Sequence, residues 1–438
     1  MSGARASSPI VALLPWGDTI EDFLDPIAVS FEAFRDEMTG GWLFGYVEAL
    51  ARAGVGTVLV CVSARVAEAE RHVHRPTGAP LWVLPAPAAF RLARRWRPRS
   101  SPGAASYLAT PPRALARVLR RENCSAVLCQ EYEYPRFDAC VVVGRMLGLP
   151  VFATFQGGSE QTTRLERPLR PWALRASAGL IVASRVEEAR LRKRYRLGSA
   201  RIARVFNPLD VSRWRALDRV SARAELGIPA AARVVAWHGR IDLQRKGLDL
   251  LVEAWAQVCR ERPRADLRLR LLGTGPDTQA LRTCIAAAPD ARGIEWRDAY
   301  VVDIDKIRRH LAAADVYVLP SRHEGFAVAP VEAMACGLPL VAADAPGVVD
   351  LLEGGEEDGG LVVPRGDAGA LAQALGALLD DPPRAAALGR RARLRVERCC
   401  SLEAVGRELR AVLAPAHREP GGGGASQRRC ERRLGHFG

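Results

Sequence analysis

Two short segments of this 438-residue chain combine residue types suited to handling a phosphorylated, hydroxyl-rich ligand. The first is Gly239-Arg240-Ile241-Asp242-Leu243-Gln244-Arg245-Lys246-Gly247, a loop expected between a strand ending near Trp237 and a helix starting near Gly247. Arg240 and Lys246 there present two fixed cations where a departing phosphate would gather charge. Lys246 carries extra weight because Lys193, Lys246 and Lys306 are the only lysines in a chain otherwise basic through arginine. The second runs from Ser321 through Glu324, Gly325, Phe326, Ala327, Val328, Ala329, Pro330 and Glu332 to Gly337. It reads as strand, loop, helix and glycine stop. Pro330 suits a first helical turn and Gly337 the left-handed position past the last. A helix N-terminus opening on a cleft binds anions, which makes it a seat for a diphosphate. Glu324, expected on the loop, and Glu332, expected in the first turn, are acceptors for sugar hydroxyls.

Elements that alternate must position these residues. Ile10–Leu14, Gly56–Val62, Leu81–Leu84, Ala126–Cys129, Val151–Phe155 and Gly179–Ala183 are apolar runs of strand length, with helical patterns between several of them. A long loop is expected from Pro15 to Thr39, before Gly40-Gly41 opens a helix through Ala53. Arg233–Trp237, Leu267–Leu272, Gly293–Trp296, Val316–Leu319, Leu338–Ala342 and Leu361–Val363 repeat the scheme. The expectation is an α/β protein of two doubly wound domains, 1–210 and 231–398, with ligands at the carboxyl ends of the strands. A linker is expected over 211–230, a final helix over 399–414 and a glycine- and arginine-rich flexible tail over 415–438.

The two cation and glutamate segments resemble those of the retaining glycosyltransferases of family 4, whose two facing Rossmann-like domains are called GT-B. The likeness extends through Leu271-Leu272-Gly273-Thr274-Gly275-Pro276, Ala314–Ser321 and Gly360–Pro364, and is looser in the first half. It implies that Arg240 and Lys246 hold the donor diphosphate, Glu324 touches the transferred sugar and Glu332 holds the ribose hydroxyls. Gly273 and the residues from Gly325 to Ala329 complete the implied donor site. The final helix would cross back onto the first domain, which fits the spacing of Leu402, Val405, Leu409 and Leu413. Gly40-Gly41 resembles the family's glycine-rich turn, with Gly41 toward the donor and Gly40 toward the acceptor. Gln156-Gly157 stands where many members carry histidine-glycine, and a glutamine cannot inherit a proton-transfer role. Ala327 replaces a common glycine.

The implied chemistry is metal-independent transfer of a hexosyl group, with retention, from a nucleotide diphosphate sugar as co-substrate to an acceptor hydroxyl. No resident cofactor is expected. Asp303-Ile304-Asp305 has metal-binding spacing but is expected to start a helix. His72-x-His74 is expected in an exposed loop. His323 beside Glu324 could line the donor pocket, while His238 and His310 receive no role.

A net charge of +14 and a pI of 9.8 permit nucleic acid, an anionic membrane or phosphorylated ligands as partners. The arginine runs over 91–99 and 190–196 lack interleaved stacking aromatics, so nucleic acid is not expected. Expected partners are the donor and an acceptor glycan, lipid or small molecule, with contact to an anionic membrane possible through those runs. No stretch reaches spanning length and the ten cysteines form no Cys-x-x-Cys units, which fits a cytoplasmic protein, peripheral at the inner membrane face if its acceptor is a lipid. Rival readings are an epimerase or phosphorylase on the same fold, or a non-enzymatic nucleotide-sugar or nucleic-acid binding protein.

Overall fold

The computed structural model describes residues 8–27, 29–95, 104–155, 166–198, 201–288, 290–301 and 303–413. Gln156, Gly157 and the expected tail after Ala414 lie outside these residues.

Fourteen strands form two sheets among the described residues. The first has the order β3-β4-β2-β1-β5-β6-β7-β8. Its strands are β1 (Ile10–Leu14), β2 (Gly56–Ser63), β3 (Glu70–Val73), β4 (Pro80–Pro85), β5 (Ala126–Cys129), β6 (Val151–Phe155), β7 (Gly179–Val182) and β8 (Ile202–Arg204). The second has the order β11-β10-β9-β12-β13-β14. Its strands are β9 (Arg233–His238), β10 (Leu267–Leu272), β11 (Ile294–Arg297), β12 (Val316–Leu319), β13 (Leu340–Ala343) and β14 (Gly360–Val363). Every pairing is parallel except β3 with β4. Strands such as β5, β7, β12 and β13 are buried at every position, as parallel strands covered on both faces must be.

The apolar runs therefore form the strands expected of them, and two doubly wound sheets face one another. Two strands escape the sequence pattern. β3 is mostly polar and lies antiparallel at the sheet edge, and β8 has three residues. The stretch expected as a loop from Pro15 to Thr39 holds three short helical segments, Glu21–Leu24, Asp25–Ile27 and Phe31–Asp36. Ser30 starts the last by accepting from the Ala33 amide at 3.1 Å. Within residues 211–230, Arg219–Glu225 is a helix whose Arg223 binds the Ala313 carbonyl at 3.0 Å and Asp315 at 2.8 Å, tying it to the second sheet.

His72 does not sit in an exposed loop. It belongs to β3, and His74 is fully buried, stacked on Phe44 at 3.9 Å with its ring nitrogens bonded to the Thr77 hydroxyl and the Met38 carbonyl. Both nitrogens are occupied, so the pair grips no metal. Among the described residues no group of three His, Cys, Asp or Glu could hold a metal ion, and no helix is long and apolar enough to cross a membrane.

The final helix, Leu402–Leu413, crosses back onto the first half as the resemblance implies. Leu402, Val405, Leu409 and Leu413 are buried in one cluster with Leu43, Phe44, Val47 and Leu50 of the Gly41–Arg52 helix. Gly406 makes the approach possible, since a Cβ there would stand 2.1 Å from the Ala49 carbonyl oxygen. Arg410 fixes the end of the crossing by donating to the Ala53 carbonyl at 2.7 Å.

Candidate functional site

In the second sheet the strand order reverses between β9 and β12, and the loops leaving their carboxyl ends border the crevice this creates. After β9, Asp242 caps a one-turn helix, Leu243–Lys246, by accepting from the Arg245 amide at 3.0 Å. Gly247 ends that turn with φ +64°, and a Cβ there would lie 2.2 Å from the Pro320 carbonyl oxygen. The lysine turn is thus pressed against the end of β12, a contact only glycine allows. The Arg322 and His323 amides both donate to the Arg245 carbonyl, at 2.8 and 3.1 Å, while the Arg322 guanidinium grips Asp249 through two 2.7 Å bonds.

This lacing puts Lys246 against Glu324. The lysine Nζ donates to both carboxylate oxygens, at 2.7 and 2.8 Å, and the Ser321 hydroxyl adds a 2.6 Å bond. Glu324 is only 5% exposed. A carboxylate this buried requires its partners, and the lysine supplies the compensating charge. Arg240 differs: it is exposed and, among the described residues, has no ion-pair partner.

The helix after β12 spans Val328–Ala335, with Ala327 at its N-cap and no side chain capping it. Ala327 cannot accept from the first amides, and Pro330 has none to offer, so the remaining donors of the first turn stay open to a ligand. Glu332 stands in the second turn, not the first as the sequence suggested, because the helix begins two residues before Pro330. Its Oε2 meets His238 Nε2 at 2.8 Å.

Arg240, Gly273, Val328, Ala329 and Glu332 border one cavity of about 720 Å³, lined from the first half by Pro26 and Ile27. Its floor is backbone on backbone: Gly273 has φ +147°, and a Cβ there would fall 1.8 Å from the Gly239 carbonyl oxygen. The remaining candidates are placed differently. Lys246 and Glu324 form their pair outside the lining of this cavity. Phe326 turns inward, 7% exposed and stacked on Phe206 at 5.4 Å, so its ring is a core group and not a donor contact. Gly325 is pressed from behind by Gly347, whose Cβ position lies 2.3 Å from its carbonyl oxygen. His323 is exposed and does not line the cavity. Gly40 and Gly41, with φ +68° and +60°, start their helix in the first half away from the cavity lining.

The sequence reading missed His238, at the last position of β9, and Tyr300, which is 58% exposed where this cavity meets a second one of about 610 Å³. A residue ending a strand at a switch point is a signal in itself. Asp303 and Asp305 border the second cavity. Asp303 caps its helix as expected, accepting from the Asp305 and Lys306 amides, and Asp305 pairs with Arg308 at 2.8 Å.

Comparison with known proteins agrees with this architecture. A family model described as "Glycosyltransferase Family 4" matches residues 43–213, and one described as "Glycosyl transferases group 1" matches 232–381. A lipopolysaccharide core biosynthesis mannosyltransferase, LpsB, of Rhizobium meliloti is 32% identical over 212 residues, 48% of this chain and 59% of that protein. A D-inositol 3-phosphate glycosyltransferase of Kineococcus radiotolerans is 35% identical over 235 residues, 51% of this chain and 54% of that one. The chain spans about half the length of the curated relatives it matches. Among solved structures, sucrose-phosphate synthase from Thermosynechococcus elongatus superposes with a TM-score of 0.68 at 23% identity, covering 92% of this chain and 97% of that one. Anabaena HepE in complex with UDP gives 0.67 at 14% identity, covering 92% and 99%. With a glycosyltransferase model on each half and both sheets in place, the chain belongs to the group 1 and family 4 glycosyltransferases of the GT-B fold.

Proposed function

We propose that this chain transfers a hexosyl group, with retention at the anomeric carbon, from a nucleotide diphosphate sugar to an acceptor hydroxyl. The observation that carries the reading is the cavity of about 720 Å³ in which an arginine without an ion-pair partner among the described residues, an uncapped helix terminus and a half-buried carboxylate face one space. That set matches the parts of a nucleotide sugar. Arg240 and the amides around Val328 take the diphosphate, and Glu332 accepts from the ribose hydroxyls. Lys246 and Glu324, held together across the switch point, lie toward the reacting sugar and its leaving phosphate. The structural relatives in complex with UDP, and with UDP and glucose, support a donor of this class.

In this reading the diphosphate leaves toward Arg240 and Lys246, whose fixed charges replace a divalent metal, and no resident cofactor takes part. A leaving phosphate oxygen accepts the acceptor's proton, so no protein base is required. The protein contributes positioning and preorganised charge. The acceptor is a glycan, lipid or small molecule met from the first half, and the names of the curated relatives, which refer to a lipopolysaccharide core and to D-inositol 3-phosphate, favour acceptors of those kinds. A lipid acceptor would place the chain at the cytoplasmic membrane face. The test is a thermal-shift screen of UDP, GDP and ADP sugars followed by turnover assays in excess chelator. The reading expects one nucleotide to raise the melting temperature and turnover to persist without metal. Stabilisation by none of them refutes it.

A further inference from the structure

His238 ends β9 immediately before the Gly239 turn and lines the donor cavity beside Glu332. It is 7% exposed, and its Nε2 meets Glu332 Oε2 at 2.8 Å. Its backbone is fixed as well: the Tyr317 hydroxyl donates to the His238 carbonyl at 3.1 Å and accepts from its amide at 3.3 Å. The Tyr317 ring also meets the imidazole edge-on, with centroids 5.4 Å apart. The other ring nitrogen, Nδ1, is buried and finds no hydrogen-bond partner among the described residues.

These facts select one form of the ring. A buried N–H without an acceptor costs more than a buried lone pair without a donor. The tautomer with its proton on Nε2 therefore predominates, donating to Glu332. Among the described residues, His310 on the Ile304–Ala312 helix interacts with His238, Tyr317 and Cys336 interact with Glu332, Arg240 borders the same cavity, and Arg270 on β10 acts on His310. His310 is itself buried and neutral, bonding the Trp237 carbonyl at 3.2 Å, with the positive charge of Arg270 beside it. With one oxygen of Glu332 engaged, rotation of the carboxylate is restricted and the second oxygen is offered to the cavity.

We infer that His238 is a positioning residue for ribose selectivity: by orienting Glu332, it makes the cavity discriminate ribonucleotides from their 2′-deoxy counterparts. The inference rests on the nucleotide-sugar reading above. A carboxylate held to accept from vicinal hydroxyls loses a bond, and is left desolvated, when one hydroxyl is absent. A carboxylate free to rotate can turn to water instead, and discriminates less.

The experiment measures dissociation constants of UDP, GDP and ADP and of their 2′-deoxy forms by calorimetry, for the wild type, His238→Phe and His238→Gln, after melting curves establish that each is folded. The His238→Gln variant would place an amide N–H near the position of Nε2, and the phenylalanine variant would place no donor there. The expected result is wild-type preference for the ribo form by about tenfold or more, a preference reduced several-fold in His238→Phe and restored in His238→Gln. An equal preference in wild type and the phenylalanine variant overturns the inference, as does a glutamine variant no better than phenylalanine. If no ribonucleotide binds the wild type, the underlying nucleotide-sugar reading fails instead. If His238→Phe does not fold, the wild type and His238→Gln are compared with Glu332→Gln. A ribo preference kept in Glu332→Gln then counts against His238 acting through that carboxylate.

Discussion

The fronts of the two sheets are built from similar charged residues used in opposite ways. Before the first sheet, Arg170 pairs with Asp138 at 2.8 Å and Arg190 holds Glu133 at 2.9 Å and Glu187 at 2.7 Å, while Arg136 is held by the carbonyls of Pro15 and Asp18. Arg170 and Asp138 are both about nineteen-twentieths buried. Before the second sheet, Arg240 has no ion-pair partner among the described residues and the Val328–Ala335 helix is left uncapped. The first arrangement spends most of its charge on partners within the protein, with Glu133 Oε2 and Arg136 Nε the buried atoms of these residues left without a hydrogen-bond partner among the described residues. The second keeps hydrogen-bonding capacity in reserve for a ligand, which is what separates a binding front from a structural one.

The strongest challenge to this comparison is removal of the cations. Arg240→Ala and Lys246→Ala are each expected to lower turnover about 100- to 1000-fold, or roughly 3–4 kcal/mol, since in the proposed reaction both act on charge that develops as the bond between sugar and diphosphate breaks. Arg240→Lys should recover little, because lysine lacks the planar fork that meets two phosphate oxygens. Melting temperature should separate the pair. Arg240→Ala should leave it unchanged, whereas Lys246→Ala strands the buried Glu324 carboxylate and should lower it. Near-wild-type turnover in both variants would show that neither the open Arg240 nor the paired Lys246 carries the reaction.

The converse substitution lies in the first half. Arg170→Met leaves Asp138 buried with only the Tyr107 hydroxyl, and should cost about 3 kcal/mol of stability or more. Donor affinity, read by calorimetry below the new melting temperature, should not change. A loss of affinity matching the loss of stability would mean that the first front also serves the donor.

The glutamates test the second front more finely. Glu332→Gln should weaken donor binding with little change in kcat, because the ribose is held alike in ground and transition states. Glu324→Gln should lower kcat as well, because it also disturbs Lys246. Steady-state kinetics with saturating and limiting donor separate the two effects, and matching affinity-only losses would contradict the assignment.

The same contrast explains what could be read from the sequence. The second half was legible because its site residues sit on two contiguous loops whose strand, glycine and helix pattern is local. Gly247, Gly273 and Gly337 stand where backbone contact or positive φ excludes a side chain. The first front draws Asp18, Arg136, Arg170 and Arg190 from distant segments, and no periodicity relates partners separated in this way. β3 was missed because Glu70, Arg71 and His72 are polar, edge positions whose pairing with β4 supplies the order. Phe326 was misread for a related reason. Its neighbours in sequence line the cavity, but its ring packs on Phe206, which lies 120 positions away and could not be anticipated from the loop alone.

The smallest expected effect is a difference in how the two halves respond to acid. Burial pushes His310 from its ordinary value of 6.5 to about 3, helped by the neighbouring His238 and Arg270. In the unfolded chain the same histidine takes up a proton as pH falls below 6.5, so acid favours unfolding and stability is lost between pH 6.5 and 3, by up to about 1.4 kcal/mol per pH unit. In the same half, Asp249 and Asp380 are held below the usual carboxylate range by Arg322 and Arg262, and the stability they contribute is lost as pH falls through their lowered values. The first half is mixed. Buried His74 acts in the same direction as His310. Desolvation raises Asp18, Asp138 and Glu133 instead, so these carboxyls regain a proton more readily folded than unfolded and add stability as pH falls. Hydrogen exchange at about pH 7 and about pH 5, corrected for intrinsic rates, should therefore show protection falling more in β9, β10 and β12 than in β5, β6 and β7. His310→Gln retains a donor for the Trp237 carbonyl but cannot titrate, and should narrow that gap. Equal loss of protection in both sheets, or a gap unchanged by His310→Gln, would show that the acid response is set elsewhere.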